Sequence, residues 1–238
     1  MAAPTGLAGL MLLADSRLPA GGHGHSGGVE ALVDRGLLTS VDDLALFLDA
    51  RIRTAGLVSA SFAATACSLA AASSEAAAPR GWARWDGALD VRTPSAALRE
   101  ASRAQGAALL RTSSRAWPGY PALRGLAELG RPHQPLVLGA AAAAAGASPA
   151  QAAALALHHL TGGAASAAVR LLGLDPLGAA GAQAALAPLA DRVAAEATEV
   201  GARAVAADDP DLLPADATPL PEILAELHHY SEVTLFAS

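Results

Sequence analysis

Apolar residues recur along most of this chain at the three- and four-residue spacing of an α-helix. Ser40 stands where a side-chain cap would start one such helix, and two aspartates follow in its first turn. Leu44, Leu48 and Ile52 then mark one buried face of that helix. The apolar residues are mostly alanine and leucine, which are the strongest helix formers. The pattern predicts an all-α protein packed closely through small side chains.

The stretch from residue 132 to residue 169 contains no Asp, Glu, Lys or Arg. Its length makes a membrane span a possibility that has to be weighed. Ser148 and Pro149, however, form a cap followed by a proline at the first helical position, which divides the stretch into two shorter helices. His158 and His159 are also poor neighbours for lipid. We therefore predict two central helices that are buried within the domain or at a subunit contact.

The opening segment, Leu10–Glu30, interrupts the helical pattern with Pro19 and with five glycines in the eight positions from 21 to 28. Glycines allow a positive φ or a close backbone approach. The run Gly22-x-Gly24-x-x-Gly27 matches a dinucleotide fingerprint, but it lacks the preceding strand that this fingerprint requires. The pair His23-x-His25 offers two metal ligands, which do not make a closed site. A structural turn and a partner-binding loop remain as the other interpretations.

Composition excludes several classes of protein. The chain has no lysine, so a P-loop nucleotide site, a kinase and a Schiff-base enzyme are all excluded. The first 131 residues hold 13 Arg against 11 acidic residues, and the remainder holds 3 Arg against 11, so no basic footprint for nucleic acid is present. A single cysteine, Cys67, precludes an intrachain disulfide, and the N-terminus lacks the basic region of a signal peptide. These features predict a cytoplasmic protein outside the membrane.

Motifs in several parts of the chain resemble those of the UreF family of urease accessory proteins. The opening motif reads Leu12-x-x-Asp15-Ser16-x-Leu18-Pro19-x-Gly21-Gly22-His23-x-His25-Ser26-x-Gly28-Val29-Glu30. Three further motifs read Ser102-Arg103-x-x-Gly106-x-x-Leu109-Leu110, His133-x-Pro135-Leu136-Val137-x-Gly139 and Pro176-Leu177-Gly178. The chain departs from the family where Ala179 replaces a glutamine and where Thr234 and Ala237 replace C-terminal arginines. These differences weaken any polar contacts that the family makes there.

The resemblance implies one all-helical domain over residues 1–238, with about ten helices, a flexible N-terminus and an acidic, proline-rich loop at 208–221. It implies a non-enzymatic adaptor in nickel-dependent urease maturation, without a cofactor or a metal site of its own. The implied partners are UreD (also called UreH), the GTPase UreG, whose GTP hydrolysis it would modulate, and the urease apoenzyme. The alternative is a small metallochaperone that binds nickel directly through His23 and His25.

The resemblance also suggests which residues make contacts. The expected partner-binding residues are Pro19, Gly21, Gly22, His23, His25, Ser26, Glu30, His228, His229 and Phe236. The family is dimeric, so a homodimer through the charge-free helices around Leu136–Leu157 is expected. The residues predicted for that interface are Leu136, Val137, Gly139 and Ala142.

Overall fold

The computed structural model describes residues 6–22, 25–72 and 81–229, and 76% of them are helical. This part of the chain holds eleven α-helices and no strand, so the all-α prediction is confirmed. The helices are α1 (Leu7–Ala14), α2 (Val29–Val33), α3 (Val41–Arg51), α4 (Leu57–Ala71), α5 (Trp82–Asp90), α6 (Ala96–Ala116), α7 (Pro121–Ala127), α8 (Gln134–Ala144), α9 (Pro149–Leu172), α10 (Pro176–Ala207) and α11 (Pro219–His229). A π-helical turn, Ile52–Gly56, and a 3₁₀ turn, Pro210–Leu212, complete the set.

Helix starts follow the capping chemistry of the sequence. The Ser40 hydroxyl accepts a hydrogen bond from the Asp43 backbone N–H at the start of α3. Ser148 and Gln151 form a reciprocal capping box in front of α9. The Asp175 carboxylate accepts hydrogen bonds from the backbone N–H groups of Leu177 and Gly178 at the start of α10, with Pro176 at the first helical position. Each cap satisfies donors that the first helical turn leaves unpaired.

The centre of the fold is α4, which packs against α8, α9 and α10. Small residues let these helices approach closely. A Cβ atom at Gly139 of α8 would collide with the backbone oxygen of Ala63, and one at Gly201 of α10 would lie 2.9 Å from Thr65 Oγ1. The alanine-rich composition therefore serves close helix packing, as the sequence predicts.

The π-helical turn joins α3 and α4 into one continuous helical segment, Val41–Ala71. By length and composition this segment is apolar enough to cross a membrane. In the fold, 67% of its most apolar window is buried against other helices. Burial in the core accounts for its composition without a lipid environment.

The four residues predicted to form a dimer interface lie inside the protomer. Leu136, Val137 and Ala142 are completely buried, and Gly139 lies against α4. A fully buried side chain offers no surface to a second subunit. The charge-free stretch is thus buried within the domain, which is the first of its two predicted roles. A homodimer stays a prediction, and it would have to use other residues.

The acidic loop after α10 is attached to α5 by an arginine. The Arg92 guanidinium donates hydrogen bonds to the backbone oxygens of Pro210, Leu213 and Pro214, at 3.0–3.3 Å. Leu213 is itself buried in the main core. These contacts hold the first part of the loop, from Pro210 to Pro214, in a fixed path.

Candidate partner-binding surface

The opening segment has the backbone that its glycines predict. Gly21, Gly27 and Gly28 have φ values of 79°, 65° and 93°, in the left-handed region that side chains disfavour. Gly28 directly precedes α2, and its positive φ redirects the chain into that helix. His23 and Gly24 lie outside the described residues. The shape of this segment thus requires glycine at these three positions.

Two helices hold the first half of the opening segment in place. The Thr112 hydroxyl of α6 donates to the Pro19 backbone oxygen at 2.7 Å, and a Cβ at Gly21 would lie 3.1 Å from the Ala108 Cβ atom. A ring nitrogen of His159, on α9, lies 2.9 Å from the Leu13 backbone oxygen. Pro19, Gly21 and Gly22 remain exposed. The first half of the opening segment is therefore exposed at the surface and held in place by α6 and α9.

The second half of the opening segment turns inward. Ser26 and Glu30 are only 1% and 4% exposed, and the Glu30 backbone N–H donates to Ser26 Oγ. His25 is half-buried, and burial lowers the pKa of its imidazole. The sequence analysis had treated Glu30 as a surface acid that could reach a partner. Its burial places it instead among the groups that fix the shape of the segment.

The C-terminal helix α11 lies beside the opening segment. It packs against α2 and α6, and a Cβ at Gly28 would be 3.7 Å from the Pro221 Cβ atom. Two of its glutamates bind the amino end of α6. Glu222 accepts from the Ser95 N–H at 3.0 Å, and Glu226 accepts from the Ala97 N–H at 2.9 Å. Carboxylates are favoured there by the unpaired N–H groups and by the helix dipole.

One face of α11 is apolar and exposed. Leu220, Ile223 and Leu227 recur at helical spacing and are 50%, 58% and 51% exposed. We call these three residues the apolar stripe of α11. The spacing was visible in the sequence, but its significance was missed because the inward face carries the glutamates. The side chains of His228 and His229, and all of Phe236, lie outside the described residues.

Behind the opening segment is a cavity of about 700 Å³, which we call the central cavity. Its lining comes from the opening segment and from α3, α4, α5, α6, α8, α9 and α11. His25, His158 and His159 line it, together with Arg51 and Glu222. Sequence analysis did not find this space, because elements distant in sequence line it.

A polar cluster joins α5, α6 and the start of α8, and it consists of Asp86, Asp90, Ser102, Arg103 and His133. The Arg103 guanidinium lies 2.9 Å from Asp86 and 2.7 Å from Asp90. The His133 Nε2 atom is 2.9 Å from Asp90 Oδ1, and its Nδ1 atom is 3.0 Å from Ser102 Oγ. Two motifs that resemble the UreF family, Ser-Arg and His-x-Pro, thus meet in one hydrogen-bonded network.

Neutral His133 suits this network best. With a proton on Nε2 it donates to Asp90, while Nδ1 accepts from the Ser102 hydroxyl, which in turn accepts the Gln134 N–H at 3.3 Å. Burial lowers the pKa of His133, against the opposing effect of the nearby carboxylates. The neutral imidazole therefore satisfies every polar atom it meets.

Asp86, Asp90 and His133 bring three potential metal ligands within 4.8 Å of one another. The Arg103 guanidinium already occupies the cation position between the two carboxylates. An arginine whose donors are satisfied in this way competes directly with a metal ion. The geometry favours a structural ion-pair network over a metal centre. Asp86 and Asp90, four residues apart on α5, were the signal in the sequence that could have revealed this cluster.

Comparison with known proteins gives a consistent result. A sequence profile of the UreF family matches residues 38–187. Urease accessory protein UreF of Mycobacterium sp. (strain JLS) is 45% identical over 236 residues, covering 98% of this chain and 100% of the relative. The protein of the same name from Mycolicibacterium vanbaalenii is 43% identical over 98% of this chain and 99% of its own. That from Mycobacterium tuberculosis (strain ATCC 25177 / H37Ra) is 40% identical over 82% of this chain and 86% of its own. This chain belongs to the UreF family of urease accessory proteins.

Proposed function

We propose that this protein is a non-enzymatic adaptor of urease maturation. It binds the accessory protein UreD (UreH) and the GTPase UreG, and it acts on nickel delivery to the urease apoenzyme by modulating GTP hydrolysis. Membership of the UreF family supports the assignment to urease maturation. The partners and the effect on the GTPase rest on the family resemblance and on the surface described above.

The observation that carries the proposal is the position of α11 beside the opening segment. Residues 19–22 and the apolar stripe of α11 are separated by about 200 positions in the sequence, yet both segments are held by α6. The opening segment binds Thr112 near the carboxyl end of α6, and α11 binds Ser95 and Ala97 at the amino end of α6, so about 20 Å of helix separates the two points. The stripe is exposed in the protomer, and contiguous exposed apolar side chains are typical of protein-binding surfaces. We infer that the partner contacts Pro19, Gly21 and Gly22 together with the stripe.

The buried members of the opening segment have a different role in this proposal. Ser26 and Glu30 hold the turn that presents the exposed residues, and they do not touch the partner themselves. In the sequence, His25 lies between the exposed residues 19–22 and the buried Ser26 and Glu30, and its side chain is half-buried at the wall of the central cavity. Replacement of Glu30 is therefore expected to reduce stability first and partner binding as a consequence.

Capture of co-expressed urease accessory proteins tests the proposal. The tagged chain is compared with an Ile223→Arg variant, which places a charge in the apolar stripe, and with Leu46→Arg as a matched control. Leu46 is 73% exposed and lies on α3, away from the stripe. We expect Ile223→Arg to lose UreD capture while it keeps its thermal stability, and Leu46→Arg to retain capture. Equal capture by all three proteins would refute the assignment of the stripe.

Nickel titration separates the adaptor from a metallochaperone. If the isolated protein binds nickel tightly and loses that binding in a His23→Ala, His25→Ala double variant, direct metal binding is the better description. Partner capture that proceeds in the presence of a chelator supports the adaptor.

A further inference from the structure

Arg51 is a charged, partly exposed side chain on the wall of the central cavity. It lies on α3, and it lines the central cavity together with Phe47 and Val58. Within the described part of the chain, its guanidinium forms no hydrogen bond and no ion pair. Its neighbours are the Phe47 ring, whose centroid is 6.0 Å from the guanidinium carbon, and the Glu222 carboxylate, which acts at longer range. Burial lowers the pKa of Arg51, and Glu222 opposes this effect.

Other arginines of the chain show what a satisfied guanidinium looks like here. Arg53, two residues further on, forms two hydrogen bonds with Asp49, at 2.9 and 3.1 Å. Arg92, which also lines the cavity, donates to four backbone oxygens. A guanidinium that faces a cavity without a protein partner keeps its donors available for a ligand, and carboxylates or phosphates are the groups that match these donors best. The donors of Arg51 therefore provide an anchor for an anion in the cavity.

The cavity also determines what else the anion carries. A volume of about 700 Å³ lies within the range of small-molecule sites, which are mostly apolar with a few polar groups that fix orientation. Leu13, Val58 and Leu109 are among the apolar residues of its wall. Glu222 is held by the Ser95 N–H, which keeps this carboxylate from turning onto Arg51. Three arginines, Arg51, Arg92 and Arg170, line the cavity, and Arg51 is the one whose guanidinium forms no hydrogen bond within the described part of the chain. The site thus combines an available cationic anchor with apolar wall.

We propose that the central cavity binds an amphiphilic carboxylate, with the acid group on Arg51 and the apolar body against α1, α4 and α6. This goes beyond the adaptor role and does not depend on it. The ligand class is a small organic acid with an aliphatic or aromatic body. Bound there, it lies directly behind the opening segment.

Isothermal titration of the intact protein with octanoate tests this, with octan-1-ol as the neutral probe of equal chain length. We expect saturable, one-to-one binding of octanoate and at least about tenfold weaker binding of octanol, because the alcohol lacks the charged partner for Arg51. Arg51→Gln should weaken octanoate binding by a similar factor. Arg53→Gln, which removes an exposed arginine of the adjoining π-helical turn, should leave it unchanged.

Three results would overturn the proposal. They are the absence of saturable octanoate binding, equal affinity for octanol and octanoate, and unchanged affinity in a folded Arg51→Gln variant. The first two comparisons use the unaltered protein, so they hold even if the variant fails to fold. Competition by inorganic phosphate at the same concentration would show that the apolar body contributes nothing, and it would overturn that part of the proposal.

Discussion

At the scale of single residues, the strongest constraint is the polar cluster of α5, α6 and α8. The Asp86 side chain is buried, and its two carboxylate oxygens accept hydrogen bonds from different donors, the Arg103 guanidinium and the His133 backbone N–H. Arg103 also donates to the backbone oxygen of Arg131 at 2.6 Å. Every member therefore depends on another for its hydrogen bonds, and the cluster fixes the relative positions of three helices.

Loss of Arg103 should be more damaging than loss of an exposed arginine nearby. Arg103→Ala leaves the buried Asp86 carboxylate without its ion-pair partner and close to the partly exposed Asp90, and we expect it to reduce the free energy of unfolding by about 2–4 kcal/mol. Arg131→Ala removes an exposed pair with Glu100 and should cost less than about 1 kcal/mol. Urea denaturation of both variants checks this. Equal losses would show that the cluster does not stabilise the fold.

The buried histidines predict how stability depends on pH. Burial lowers the pKa of His133 below its ordinary value of 6.5, and it does the same for His25 and His159. The unfolded chain therefore binds these protons first as the pH falls, and the free energy of unfolding should decrease below about pH 6.5. Chemical denaturation between pH 8 and pH 5 measures this. His133→Gln should flatten the dependence, and an unchanged slope in that variant would contradict the assignment.

At the scale of elements, helix starts were predictable where one residue offers a cap and no other partner claims it. Ser148 followed by Pro149 is such a case, and α9 begins there. Thr93 followed by Pro94 matches the same cap-and-proline pattern, but the Thr93 hydroxyl donates to the Leu89 backbone oxygen, and Ser95 caps α6 instead. The sequence shows both candidates, but the competition between them depends on where α5 ends.

Burial of α8 could not be separated from a subunit contact by sequence alone. A helix without charges suits either environment. Packing against α4, whose backbone lies against Gly139, buries α8 within the protomer. This contact joins residues more than 70 positions apart, and no local pattern reports it.

Two helical glycines give opposite expectations for the same substitution. A Cβ at Gly106 of α6 would collide with the Pro132 backbone oxygen and lie 2.9 Å from the Gln134 nitrogen, so this glycine allows a close helix contact. Gly181 of α10 has open space around it. We expect Gly106→Ala to lower the melting temperature, and Gly181→Ala to raise stability by up to about 1 kcal/mol through helix propensity. Calorimetry of both variants tests this, and a stable Gly106→Ala protein would exclude the close contact.

At the scale of the whole molecule, the fold brings together the beginning and the end of the chain. The opening segment was recognisable from its glycines, and their positive φ values confirm that reasoning. The contribution of α11 was less predictable, because its place beside α2 depends on Glu222 and Glu226 binding the amino end of α6. Side-chain burial was the least predictable property, as Glu30 shows. A surface assembled from two distant segments becomes visible only in three dimensions.

The central claim is that this surface serves urease maturation. The most direct measurement is the nickel content of urease purified from cells that lack their own UreF protein and express this chain together with the remaining accessory proteins. We predict that the unaltered chain and the Leu46→Arg control restore nickel-loaded, active urease, and that an equally abundant Ile223→Arg variant does not. Urease that stays nickel-free with the unaltered chain, or that is fully loaded with Ile223→Arg, would contradict the account.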